Sequence, residues 1–180
     1  MERAREYLES ARAGFRGIKR HADQALAQVG EKEFFAQLDT ESNSIALIVK
    51  HLAGNLRSRW TDFLTTDGEK PWRERDREFV VEAGDTKESL LRRWEEGWRC
   101  VFRAMEALQP EDLERTVMIR GEADTVLGAT QRALLHAAGH VGQIVLLAKH
   151  LAGPQWWTLS IPRGKSEEFN REMRKKVASG

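Results

Sequence analysis

Leu134-Leu135-His136-Ala137-Ala138-Gly139-His140-Val141-Gly142-Gln143-Ile144 lies inside a stretch, from about Thr125 to Leu151, that holds no proline. Its apolar positions recur at a helical rather than an alternating period. Gly153-Pro154 then stops it. The stretch predicts one long helix, and the same reading repeats along the chain. His136 and His140 would stand on one face of that helix, about one turn apart, able to grip a single ion.

Working outward, the first helix is predicted from about Glu2 to Val29, with a stripe of Tyr7, Leu8, Ala11, Phe15, Ile18, Ala22, Ala25, Leu26 and Val29. A short helical turn around Glu33–Leu38 follows. Ser42-Asn43 are good N-cap residues for a second helix, which carries Ile45, Ile48, Leu52, Leu56 and Phe63 to about Leu64. Residues 65–76 form a charged, turn-rich loop long enough to suggest a function. Asp85 and Glu88 suggest a capping box for a third helix, striped by Leu90, Leu91, Trp94, Trp98, Val101, Met105 and Leu108 and ended by Pro110. Residues 111–124 are mixed, with Thr116-Val117-Met118-Ile119-Arg120 a candidate extended stretch. A tail through Asn170 leads into a short charged helix. These patterns predict an all-α chain, a four-helix bundle with long loops and a short C-terminal helix, in one domain over residues 1–180. Helices of more than twenty residues would be roughly 30–40 Å long, enough to enclose interior sites.

Composition narrows the function. The chain has 180 residues, with 29 Lys and Arg against 28 Asp and Glu, a net charge of +1. That balance gives no electrostatic footprint for nucleic acid or for an acidic membrane surface. Charged residues make up 32% of the chain, in keeping with amphipathic helices that have solvated outer faces. The single cysteine, Cys100, excludes an intramolecular disulfide and fits a reducing compartment. With no apolar opening segment and no spanning run, the expectation is a soluble, cytoplasmic protein.

Two histidines on one helix make half of a metal site, and three others could complete it. His150 shares the azimuth of His136 but stands about 21 Å further along the axis, too far to share an ion. His21 lies on a polar-flanked stretch and reads as solvated. His51 stands mid-helix in Ile48-Val49-Lys50-His51-Leu52-Ala53-Gly54-Asn55, beside the apolar stripe. An imidazole aimed into a bundle must hydrogen-bond or bind metal, because an unpaired buried one is costly. Three neutral nitrogens from two helices would give an open site, at which an ion keeps its full charge, acidifies water or thiol and polarises a carbonyl. The competing reading of His-x-x-x-His is a solvated helix face. No Glu follows His136, so the His-Glu-x-x-His pattern of zinc proteases is absent.

Several separated motifs resemble one family. Asn43-Ser44-Ile45-Ala46, Val49-Lys50-His51-Leu52-Ala53-Gly54-Asn55, Ser58-Arg59-Trp60-Thr61-Asp62-Phe63-Leu64 and Asp67-Gly68-Glu69-Lys70-Pro71-Trp72 are similar to a branch of the DinB-like (DinB/YfiT-like) bacterial metalloenzyme superfamily. So are His136-x-x-x-His140-Val141-Gly142-Gln143-Ile144 and the run Ile161 to Asn170. The resemblance implies a four-helix bundle of the DinB-like type, often dimeric, with a divalent metal held by His51, His136 and His140. It also implies thiol-dependent chemistry, because better-known relatives are bacillithiol or mycothiol S-transferases and a maleylpyruvate isomerase.

Around that centre, Asn55, Ser58 and Gln143 share the ligand faces. They would orient a ligand or water, or else join helices by hydrogen bonds. Arg59, Arg163 and Lys165 sit in or beside the loops and could hold the carboxylates of a thiol cofactor or acidic substrate. Interleaved acids offer the alternative of salt bridges that stiffen the loops. Trp94 and Trp98 read as core. Trp60, Trp72, Trp156 and Trp157 read as a pocket wall or dimer face. Zinc or nickel suits three imidazoles with an open position, and iron or manganese also takes such ligands. The expected partners are a small-molecule substrate or thiol and a second copy of the chain, with no nucleic acid and no membrane. Two functions remain open: a metal-dependent enzyme, S-transferase-like on a small electrophile, or a non-catalytic, metal-stabilised dimer in a stress-related or scaffolding role.

Overall fold

The computed structural model describes residues 2–178. The chain is mostly helical, with α1 (Glu2–Leu26), α2 (Glu31–Phe35), α3 (Ile45–Trp60), α4 (Lys87–Ala107), α5 (Val126–Ala152) and α6 (Ser166–Ala178). The four longest close a ring of neighbours: α3 on α4, α4 on α1, α1 on α5 and α5 on α3. Within that ring, every residue from Ile45 to Ala53 is buried, so α3 is the central element. Phe15, Trp94 and Trp98 are also fully buried; each such aromatic or aliphatic side chain contributes roughly 1.5–3 kcal/mol. Gly97 of α4 allows close approach to α3, because a Cβ there would stand 2.9 Å from the Ala53 carbonyl oxygen.

The helix ends depart from the sequence reading for local reasons. α3 stops four residues before Leu64, because Asp62 takes a left-handed backbone, φ 47°, that a helix cannot continue. α1 ends at Leu26 rather than Val29. The expected turn at Glu33–Leu38 lies slightly earlier, at Glu31–Phe35. α4 is capped by Thr86 rather than Asp85. The Thr86 hydroxyl accepts from the Ser89 amide, and the Ser89 hydroxyl accepts from the Thr86 amide. Asp85 is engaged elsewhere, with the buried Lys50 Nζ at 2.7 Å. At α5 the Thr125 hydroxyl accepts from the Gly128 amide, a cap worth about 1 kcal/mol.

The all-helical expectation needs one amendment. Thr116–Ile119 forms β1, as an extended stretch was expected to, and it pairs antiparallel with β2 (Glu122–Thr125). The two-residue turn Arg120-Gly121 has positive φ at both positions, 57° and 76°, which matches the twist of a tight hairpin. The hairpin leads directly into α5 and packs on it, and the Gly68 amide of the loop after α3 donates to the Met118 carbonyl at 2.8 Å. Among the described residues, no helix is long and apolar enough to cross a membrane.

Candidate metal centre

His51 projects from the buried middle of α3, and His136 and His140 from successive turns of α5. The packing of α5 on α3 brings all three rings together, with one nitrogen of each within 4.8 Å of the others. His136 Nε2 lies 3.4 Å from His51 Nε2 and 3.2 Å from His140 Nε2. Two nitrogens bound tetrahedrally to one ion at about 2.0–2.1 Å stand about 3.3–3.4 Å apart, so these spacings fit a shared ion. His21 and His150 are exposed and outside the cluster.

The far side of each outer ring is fixed. His51 Nδ1 lies 2.9 Å from Glu78 Oε2, and His140 Nδ1 lies 2.9 Å from Gln143 Oε1. When each Nδ1 donates its proton there, each Nε2 keeps its lone pair for the centre. Burial, reinforced by His140 and His51 and then by Arg73 and Arg59, pushes His136 down to about 4. Burial also lowers His140, against the raising effect of Gln143. Neutral imidazoles are the form that coordinates.

Glu78 was not singled out by the sequence. It lies in a 3₁₀ turn, Arg75–Phe79, that packs on α3. Arg73 grips its carboxylate with two nitrogens, Nε to Oε1 at 2.8 Å and Nη2 to Oε2 at 2.9 Å. Burial raises the carboxyl's pKa, but the hydrogen bonds from His51 and Arg73 outweigh it and hold Glu78 below the usual range. Gly54 makes room for this arrangement, since a Cβ there would collide with Glu78 Oε1.

The other expected residues separate. Asn55 lines the cavity beside the histidines. Ser58 faces the loop, donating to the Gly68 carbonyl at 2.7 Å and accepting from the Lys70 amide at 3.2 Å. Arg59 lines the cavity, whereas Arg163 and Lys165 are exposed on the tail and do not line it; Lys165 pairs with Glu168 at 2.9 Å. Loop acids and bases pair with one another, as in Arg59–Glu69, Arg73–Glu69 and Arg77–Glu82. Of the loop and tail tryptophans, Trp60 reaches the cavity, while Trp72 and Trp157 are exposed.

The cavity holds about 420 Å³, with His51, His136 and His140 in its lining. Phe63, Phe79, Met118 and Ile119 give it an apolar wall, and the hairpin supplies Arg120. Nothing in the residue spacing pointed to the hairpin's part in this wall, since it depends on β1 meeting the loop after α3, where the Gly68 amide donates to the Met118 carbonyl.

The model of a family described as "Protein of unknown function (DUF1572)" matches residues 2–165, and the chain belongs to that family. No curated protein and no solved structure matches it.

Proposed function

We propose that this member of the family is a divalent-metal-dependent enzyme built on a four-helix bundle of the DinB-like type, with His51, His136 and His140 as the protein ligands. The carrying observation is the convergence of three Nε2 atoms, at 3.2 and 3.4 Å across His136, on a cavity large enough for a small molecule. Three protein ligands with an open side are the pattern of a catalytic rather than a purely structural centre. Zinc or nickel suits the set, and iron or manganese is compatible with it.

When bound, the ion supplies Lewis acidity, lowering the pKa of a water or thiol that meets it. The chain does the rest. Glu78 and Gln143 hold the proton on Nδ1 of His51 and His140, and Arg73 fixes Glu78. The apolar wall of Phe63, Phe79, Met118 and Ile119 lowers the local dielectric on one side of the cavity and strengthens the electrostatics there. The resemblance to thiol-dependent relatives favours transfer of a low-molecular-weight thiol to a small electrophile.

The test is metal analysis of the purified chain, followed by turnover of electrophiles with candidate thiols by wild-type and His140→Ala protein. About one ion per chain and metal-dependent turnover support the reading. An unchanged rate in His140→Ala would count against it.

A second reading, a non-catalytic metal-stabilised dimer, is favoured by the outer face of α5. There Leu135 and Leu146 are 66% and 68% exposed, with the exposed small residues Ala138, Gly139 and Gly142 between them. If that face joins two copies, Leu135→Lys with Leu146→Lys yields monomers by sedimentation. If a metal-stabilised dimer is all the chain is, no thiol or electrophile will shift its melting temperature.

A further inference from the structure

Five arginines (Arg59, Arg73, Arg75, Arg120 and Arg132) line the cavity, against a single acid, Glu122. The acids that pair with these arginines stand outside the lining. Glu69 Oε2 alone meets three of them: Arg59 Nη2 and Arg73 Nη1, each at 3.4 Å, and Arg120 Nε at 3.0 Å. Glu78 serves both Arg73 and His51, and Asp124 pairs with Arg132 at 3.1 Å. Arg73 spends its other two nitrogens on Glu78, so the shared Glu69 oxygen leaves the donors of Arg59 and Arg120 under-used. Arg59 makes this concrete, because its Nη1 is buried and has no hydrogen-bond partner. An unpaired buried donor on a charged group is costly, and a turn of the guanidinium from Gly68 towards an acceptor in the cavity would relieve that cost. Burial also lowers the pKa of Arg59, as expected for a guanidinium short of compensation.

The rest of the lining describes the remainder of a ligand. Phe63, Phe79, Met118 and Ile119 are apolar, and the histidines stand in the same cavity. We propose that the cavity binds a small organic acid, its carboxylate on Arg59 and Arg120 and its apolar body along Phe63, Phe79 and Ile119, so that its other end faces His51, His136 and His140. The inference rests on the proposed function for what happens at that other end, but not for the binding itself. A guanidinium fork fits a planar carboxylate. The apolar wall beside the arginines suits an organic acid rather than inorganic phosphate, which has no apolar body to bury.

The test is calorimetric titration of the full-length chain with 3-phenylpropanoate, its uncharged amide and inorganic phosphate. Each titration is run on the protein as purified and again with chelator, which removes direct carboxylate–metal binding. Metal content is measured separately in wild-type and His140→Ala protein, so a failed metal site and a failed acid site are told apart. The expected result is that the acid binds at least about tenfold more tightly than the amide, with or without chelator. Arg59→Met abolishes that preference, and His140→Ala retains it. Should Arg59→Met not fold, Arg120→Ala, which alters a half-exposed side chain, must reduce the preference at least about threefold. Equal binding of acid and amide, an unchanged preference in these variants, or phosphate binding as tight as the acid would overturn the proposal.

Discussion

Glu78 Oε2 lies 2.9 Å from His51 Nδ1, joining a residue of the loop to one at the centre of the most buried helix. The contact sets the tautomer of His51 and aims Nε2 at the other two histidines. Glu78→Gln keeps the shape but weakens the hold on the Nδ1 proton. Metal affinity, measured by competition with a chromophoric chelator, should fall about 10- to 100-fold. Glu78→Ala should in addition lower stability by about 3–5 kcal/mol, because Arg73, only 2% exposed in its side chain, loses its bidentate partner. Wild-type affinity in Glu78→Gln would dismiss the contact as incidental.

Gly54 offers a sharper test of the same contact. Alanine is favoured over glycine within a helix by about 1 kcal/mol, so Gly54→Ala should stabilise an ordinary helix. Here the new Cβ would press on Glu78, which Arg73 and His51 hold in place. The expected result is weaker metal binding with no gain in melting temperature. A stabilised variant with intact affinity would mean that Glu78 moves freely.

The depressed pKa of His136 predicts how the metal-free protein responds to acid. The unfolded chain takes up this proton near pH 6.5, whereas the folded chain resists it down to about 4. Between those values the unfolded state binds more protons, so stability falls as pH drops from 6.5 towards 4 and is regained as pH rises. Chemical denaturation of chelator-treated protein across that window should show the slope, and His136→Gln should flatten it. Saturating metal should also flatten it wherever the ion outcompetes the proton.

Asp67 ties the loop to the hairpin. Its carboxylate accepts from the amides of Arg120 and Gly121, each at 2.8 Å, and from that of Glu69 at 2.6 Å. Asp67→Ala should lower the melting temperature by about 2–4 °C and speed amide exchange in the hairpin turn more than in α5. Uniform exchange across both would place the effect elsewhere.

The helices were legible because apolar residues at helical period are a signal repeated over many positions. Trp94 and Trp98 were recognisable as core for that reason. His51, His136 and His140 stood out because two lie one turn apart and the third is embedded in an apolar run. Contacts that depend on the path of a loop left no such trace. Glu78 is one of several loop acids, and only the turn at Arg75–Phe79 brings it to His51. The second strand was missed because its turn is Arg120-Gly121, lacking the Asn or Asp that usually announces a tight hairpin. Asp85 read as a cap because the sequence could not reveal that Lys50 would claim it.

The cavity draws its histidines from α3 and α5, and part of its arginine lining from a loop and a hairpin that Asp67 latches together. These two portions rest on different foundations. Most hairpin side chains are exposed, Val117 apart, so they can vary at little cost, while the histidines depend on a core that tolerates little change. Selection can therefore retune what the cavity admits without disturbing the three histidines. Related chains with identical histidine triads and divergent hairpins would be expected to keep the same centre while differing in which small molecules they bind.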